Sequence, residues 1–276
     1  MALPSYASPV QKTYYYLYLF FCGVVFFFLV APLIAIVPIS FSVSPFMVFT
    51  DGMLAWPPDP EAWSLRWYKN MIGDCSADVV SSTVPCSNKW MIGTLNSFFI
   101  GIVATVIATS LGTLAALGLS RPHMPFKGII MAILISPMIV PLIITAAGMF
   151  FFYARINLVY TFTGVILAHV ALATPFVVIT VTATLVGFDM NMVKAAQSLG
   201  ARPVKTFFRV IMPLILPGII SGALFAFITS FDEVVIVMFM ASLDQLTIPK
   251  QMWAGIRQEI SPVILCMATC LVALSI

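Results

Sequence analysis

Residues 194–213 read Lys-Ala-Ala-Gln-Ser-Leu-Gly-Ala-Arg-Pro-Val-Lys-Thr-Phe-Phe-Arg-Val-Ile-Met-Pro, a basic island between two long apolar runs. Just upstream, Asp189 can accept from the free amides of a helix start. Gly200 suits the position after a helix end, where a positive φ is needed and glycine has no Cβ to clash. Pro203 then opens a second helix, because the first amide of a helix is unpaired anyway. The spacing predicts helix, glycine break, helix over 187–212. Alanines 195, 196 and 201 leave that surface shallow enough for a partner to approach closely. A basic segment resting on anionic lipid fits the spacing equally well, since its four Lys and Arg would each contribute about 1 kcal/mol there.

Outward from this island the chain is lipid-soluble. Of its 276 residues 61% are hydrophobic and 8% charged, with a mean hydropathy of +1.08. Soluble domains carry about 25% charged residues. A soluble enzyme, a nucleic-acid-binding module and a disordered chain are excluded. A helix needs roughly 20 apolar residues to cross about 30 Å of hydrocarbon. Six segments approach that: Tyr14 to Phe41, Met91 to Leu119, Gly128 to Tyr153, Leu158 to Val186, Ile219 to Ala241, and Pro262 to Ile276. The sequence therefore describes an all-α polytopic membrane protein of about six transmembrane helices, one domain over residues 1–276. The last segment stops while still apolar, which suggests a short missing tail. The first is too long for a signal-peptide core and lacks a small-residue cleavage site, so it should be retained.

Lys and Arg set the orientation. With the N-terminus in the cytoplasm, residues 1–13, 120–127 and 187–212 carry seven basic groups and one acid, a net +6. Residues 42–90, 154–157 and 242–261 carry six basic groups and seven acids, a net −1. The outer loop 42–90 contains Trp56, Trp63, Trp67 and Trp90, and also Cys75 and Cys86. In an oxidising compartment those cysteines could bridge; two free thiols fit as well. Cys22, Cys266 and Cys270 lie in apolar spans and read as packing residues. No metal-ligand spacing is present.

Within the spans, Ala104, Ala108, Gly112 and Ala116 recur every four residues, a face suited to close helix packing. Prolines 32, 38, 137, 141 and 175 can bend their helices. His169, near the middle of the fourth span, is a pathway candidate by default, although a histidine bonded to a neighbouring helix is commoner. Asp232 and Glu233 begin 14 residues into the 23-residue fifth span, roughly 20 Å from its start. An Asp at helix centre costs about 2.5–3.5 kcal/mol, so this pair needs water or a partner. With Phe231 they are the candidate substrate pathway, where a carboxylate would attract a cation. Alternatively Ser230-Phe-Asp-Glu is a capping box restarting a broken helix. In transporters such breaks often flank substrate, so the two readings overlap.

Residues 194–213 resemble the signature loop of binding-protein-dependent ABC importer permeases: Glu-Ala-Ala, three residues, Gly, nine residues, Ile, one residue, Leu-Pro. Ala195, Ala196, Gly200 and Pro213 match, while Val210 and Met212 are conservative replacements. Lys194 stands where the family usually has Glu and reverses a charge at the contact's edge. Ser230-Phe-Asp-Glu-Val and Leu246-Thr-Ile-Pro-Lys-Gln-Met-Trp further resemble the second permease subunit of spermidine/putrescine-type importers. The resemblance implies a type I (MetI-like) permease of a bacterial inner membrane. Its coupling helix, with Lys194, Ala195, Ala196, Gly200, Ala201, Arg202 and Pro203, docks on a cytoplasmic ATPase. It implies four partners: a second permease, two ATPase subunits that hold the ATP and Mg, and an extracytoplasmic solute-binding protein. This chain would carry no cofactor, and it has no phosphate loop of its own. The implied cargo is a small cation of polyamine type; a zwitterionic osmolyte or amino-acid-like solute is the alternative. A stand-alone ion-coupled transporter would explain the hydropathy but not the loop. A membrane-embedded enzyme is unsupported, with neither a nucleophile elbow nor an HExxH motif.

Overall fold

The computed structural model describes residues 8–74, 88–121, 123–189, 191–258 and 261–275. Cys75 and Cys86 lie outside these. The described residues are helical, with no strand among them beyond one isolated bridge between Ser42 and Trp63. They form two compact units, residues 1–88 with 254–276, and residues 89–253.

In the first unit α1 (Pro9–Ser40) starts at a capping box in which Ser8 and Gln11 exchange side-chain bonds with each other's amides. Four residues of α2 (Asp51–Leu54) and six of α3 (Arg66–Met71) follow. The apolar C-terminal helix, Val263–Ser275, packs on both α1 and α3. Trp67 is fully buried and donates from Nε1 to Ser42 O at 2.9 Å. Cys266 is buried and its Sγ contacts Ser40 O, which makes it a packing residue, as its apolar context implies.

The second unit is built on α4 (Lys89–Leu119) and α7 (Phe162–Val186). Between them the helices α5 (Lys127–Ile139) and α6 (Leu142–Arg155) meet at 102°. The break falls at Pro141, one of the prolines expected to bend their helices, and is sharper than a bend within one helix. Pro141 cannot supply the amide that would continue α5, and the residue before a proline is pushed out of the helical region; Val140 is extended accordingly. The small-residue face of α4 is buried as expected, with Ala104, Ala108 and Ala116 fully covered. A Cβ on Gly112 would sit 2.7 Å from Val177 Cβ of α7, so only glycine permits this approach.

After α7 come α8 (Asn191–Ser198) and α9 (Pro203–Phe231), then α10 (Val235–Met240), α11 (Ile248–Gln258) and the C-terminal helix, α12. Helix α9 passes through a π-helical turn at Phe207–Ile211 without stopping. The fifth span therefore begins at Pro203, and the second half of the 187–212 element is its first turns rather than a separate helix. Among the described residues four helices (α1, α4, α7 and α9) are long and apolar enough to cross a membrane. The bent pair makes a fifth, and α12 is a shorter apolar helix of 13 residues.

Candidate functional site

At the α8–α9 junction the local sequence sets the geometry. Asp189 Oδ1 accepts from Asn191 N at 2.9 Å, as its position before α8 predicts. At the other end Gly200 has φ +78°. Its amide bonds Gln197 O at 2.9 Å, and the next amide, of Ala201, bonds Ala196 O at 3.0 Å. These are the paired bonds of a Schellman motif, which satisfy carbonyls that a helix end leaves free. Pro203 is then the first residue of α9, with Arg202 extended before it. Lys194, Ala195, Arg202 and Pro203 are exposed, and Ala196 and Ala201 half-buried. Leu199, beside the glycine, is 88% exposed. A rigid turn thus presents a large apolar side chain that the chain itself does not cover.

The second constellation lies where α9 ends. Helix α9 is about 43 Å long at 1.5 Å per residue, so Phe231 and Asp232 sit far from Gly200, at the helix's opposite end. The helix leading to the acids is therefore longer than the roughly 20 Å read from the hydropathy window. The helix does break at the acids, but not through the expected capping box. Ser230 remains in the last turn of α9, where its Oγ lies 2.7 Å from His169 Nδ1. His169 is 1% exposed and its Nε2 has no partner among the described residues. It ties α7 to α9.

Glu233 instead caps the helix that follows. Its Oε1 accepts from Ile236 N at 2.8 Å at the start of α10, where a negative charge also complements the helix dipole. Glu233 is 7% exposed, while Asp232 next to it is exposed. At the far end of α10, Lys250 Nζ donates to Ala241 O at 2.9 Å and to Val237 O at 3.4 Å. Burial lowers the pKa of Lys250 below the ordinary lysine value. One six-residue helix is therefore held at its N-terminus by a carboxylate and at its C-terminus by an ammonium. The loop between α10 and α11 is tied to α4. Asn96 Nδ2 donates to Asp244 O and Leu246 O, and Ser97 Oγ accepts from Ile248 N. Phe231 packs against Phe98 of α4 at 5.2 Å and against Phe227 at 5.4 Å, between ring centroids.

The structure thus gathers Phe231, Asp232 and Glu233 at one break and ties His169 to the residue preceding it. Sequence reasoning missed Lys250, Asn96 and Ser97. No local pattern signals these contacts, since Lys250 reaches carbonyls 9 and 13 residues upstream and Asn96 and Ser97 bond backbone about 150 residues away.

Residues 108–276, more than half of the chain, match the family described as binding-protein-dependent transport system inner membrane component. The chain belongs to this family. Among its relatives is the spermidine/putrescine transport system permease protein PotC of Haemophilus influenzae, 28% identical over 93% of this chain and 91% of that one. Another is the putrescine transport system permease protein PotI of Escherichia coli K12, 30% identical over 88% of this chain and 81% of that one. Among solved structures, a bacterial ABC transporter involved in import of the acidic polysaccharide alginate superposes with a TM-score of 0.73. It covers 97% of this chain and 93% of that one at 14% identity, and so speaks for the fold alone. As a family member the chain is a multi-pass inner-membrane transport subunit, the permease of an ABC importer rather than an enzyme.

Proposed function

We propose that this permease moves a small cationic solute of polyamine type into the cytoplasm by alternating access driven by ATP hydrolysis on partner subunits. Its N-terminus is cytoplasmic, which puts the α8–α9 turn on the side of the ATPases. The observation that carries the reading is that turn: a Schellman-closed helix end, fixed at Gly200, with Leu199 uncovered beside it. An ATPase surface closing on nucleotide would push on α8. Because α9 runs unbroken from Pro203 to Phe231, the push reaches the break at Asp232 as a rigid-body displacement. Lys194, Ala195, Ala196, Ala201 and Arg202 would form the rest of the contact.

Partners complete the machine: a second permease, two ATPase subunits holding ATP and Mg, and an extracytoplasmic solute-binding protein. The likeness to permeases named for spermidine and putrescine supports the cargo class. So does Asp232, an exposed carboxylate at the end of an apolar helix. Phe231 and Asp232 would meet the solute, while His169 and Glu233 hold the wall in place. Affinity purification of the tagged complex tests the coupling: an ATPase should accompany this chain and be lost on Gly200→Glu. In proteoliposomes with the solute-binding protein, putrescine or spermidine should stimulate ATP hydrolysis. Stimulation by betaines or amino acids alone would move the cargo to the zwitterionic class.

A further inference from the structure

The break at the end of α9 leaves one charge unaccounted for. Glu233 has its place, because it caps α10. Lys250 has its own, on the carbonyls of Ala241 and Val237. Asp232 has none. It is the residue that ends α9, and its amide still bonds Ile228 O at 3.0 Å. A helix C-terminus carries free carbonyls and the negative end of the dipole, so a cation is stabilising there and a carboxylate is not. Asp232 is exposed, and among the described residues no hydrogen bond or ion pair reaches its side chain. The carboxylate and the helix end therefore call for the same group, a cation.

Three phenylalanines stand beside it. Phe227 and Phe231 belong to the last turns of α9, and Phe98 to α4. Between ring centroids, Phe98 lies 5.2 Å from Phe231 and 6.4 Å from Phe227, and Phe227 lies 5.4 Å from Phe231. All three rings are half-buried, so none is spent on the core. The cluster is closely fitted: a Cβ added to Gly101 of α4 would stand 3.1 Å from Phe227 Cε2, so glycine at 101 lets that ring lie against α4. Just before Phe98, Asn96 and Ser97 fix α4 to the loop that follows α10. An aromatic face attracts an ammonium group, and the same apolar rings cover the methylenes next to it. A zwitterionic solute would bring its own carboxylate toward Asp232, and like charges repel.

We propose that Phe98, Phe227 and Phe231 form an aromatic platform that, with Asp232, binds one alkylammonium end of the solute. The carboxylate takes the charge, and the rings take the ammonium face and the adjoining methylenes. The proposal rests on the reading of Asp232 as a pathway residue, and it adds Phe98 and Phe227 as residues that select a linear amine over a zwitterion.

The test is uptake of radiolabelled putrescine by proteoliposomes holding the complete complex, supplied with its solute-binding protein and ATP. F98L and F227L keep the apolar bulk but lose the ring face, and each should lower the uptake rate about three-fold. F98W, which restores a ring face, should return uptake to near the wild-type rate. In a D232N background the same leucine substitutions should cost little further, because residues that share one bound group do not act additively. If the F227L complex does not assemble, F98L and F98W carry the test. Unchanged uptake in F98L, or equal losses in F98L and F98W, overturns the platform and leaves the cargo class standing. Losses that simply multiply with the loss in D232N overturn a shared ammonium site. Absence of putrescine uptake by the wild-type complex removes the cargo reading instead, and the platform falls with it.

Discussion

Asp232 and Glu233 are neighbours in sequence with opposite surroundings, and that contrast separates transport from stability. Glu233 is buried and accepts the Ile236 amide of α10. Replacing it with Leu leaves buried N–H groups unpaired, a cost of about 1–3 kcal/mol. Glu233→Leu should therefore lower the thermal midpoint of the purified chain, and Glu233→Gln, which keeps an acceptor oxygen, should lower it less. Lys250→Met should destabilise in the same way by taking the ammonium donor from Ala241 O, while Val237 O keeps its bond from the Ala241 amide. Asp232, being exposed, should behave in the opposite sense: Asp232→Asn should lower uptake while assembly and melting stay as in wild type. Unchanged uptake kinetics in reconstituted vesicles would remove Asp232 from the pathway. The acids were legible as a break in an apolar run, because charge in hydrocarbon is costly. The actual cap was not legible. Ser230 fits a capping box by local spacing, but its hydroxyl goes to His169, 61 residues away, and no local pattern encodes a contact between two helices.

At the scale of elements, the α8–α9 turn rests on a backbone conformation rather than on contacts. Gly200 has φ +78° and open space where a Cβ would stand, so any penalty for replacing it is conformational. An L-residue there costs about 1–2 kcal/mol. Asn tolerates that region better than β-branched residues do. Solute-stimulated ATP hydrolysis by the whole complex should fall in the order wild type, Gly200→Asn, Gly200→Val. An inverted order would mean that the turn does not transmit the stroke. At the α4–α7 contact the penalty would be steric instead. Gly112→Ala places a methyl against Val177, and overpacking of that kind costs about 1–3 kcal/mol, visible as a lower melting temperature. The turn itself was readable from Asp189, Gly200 and Pro203, since caps and breakers act over a few residues. The length of α9 was not. Lys205 and Arg209 lie in its exposed first turns, and a hydropathy window ends a span at such residues even where the backbone continues helical.

For the whole molecule, composition alone decides the solvent, and the split of Lys and Arg between loops predicts the orientation. That split, net +6 against −1, predicts which surfaces face which compartment. Three exposed positions make the prediction measurable: Trp56 before α3, Leu199 in the α8–α9 turn, and Leu243 after α10 are 94%, 88% and 81% exposed. In a background with the native cysteines removed, Trp56→Cys and Leu243→Cys should react with a membrane-impermeant maleimide added to intact spheroplasts. Leu199→Cys should react only after the membrane is opened. Binding of the ATPase subunits should then shield Leu199→Cys from the reagent and leave the other two sites reactive, because only the α8–α9 turn is proposed to lie under the motor. Labelling of Leu199→Cys in intact spheroplasts would invert the topology, and the ATPase would then have no access to the turn on which the transport reading depends.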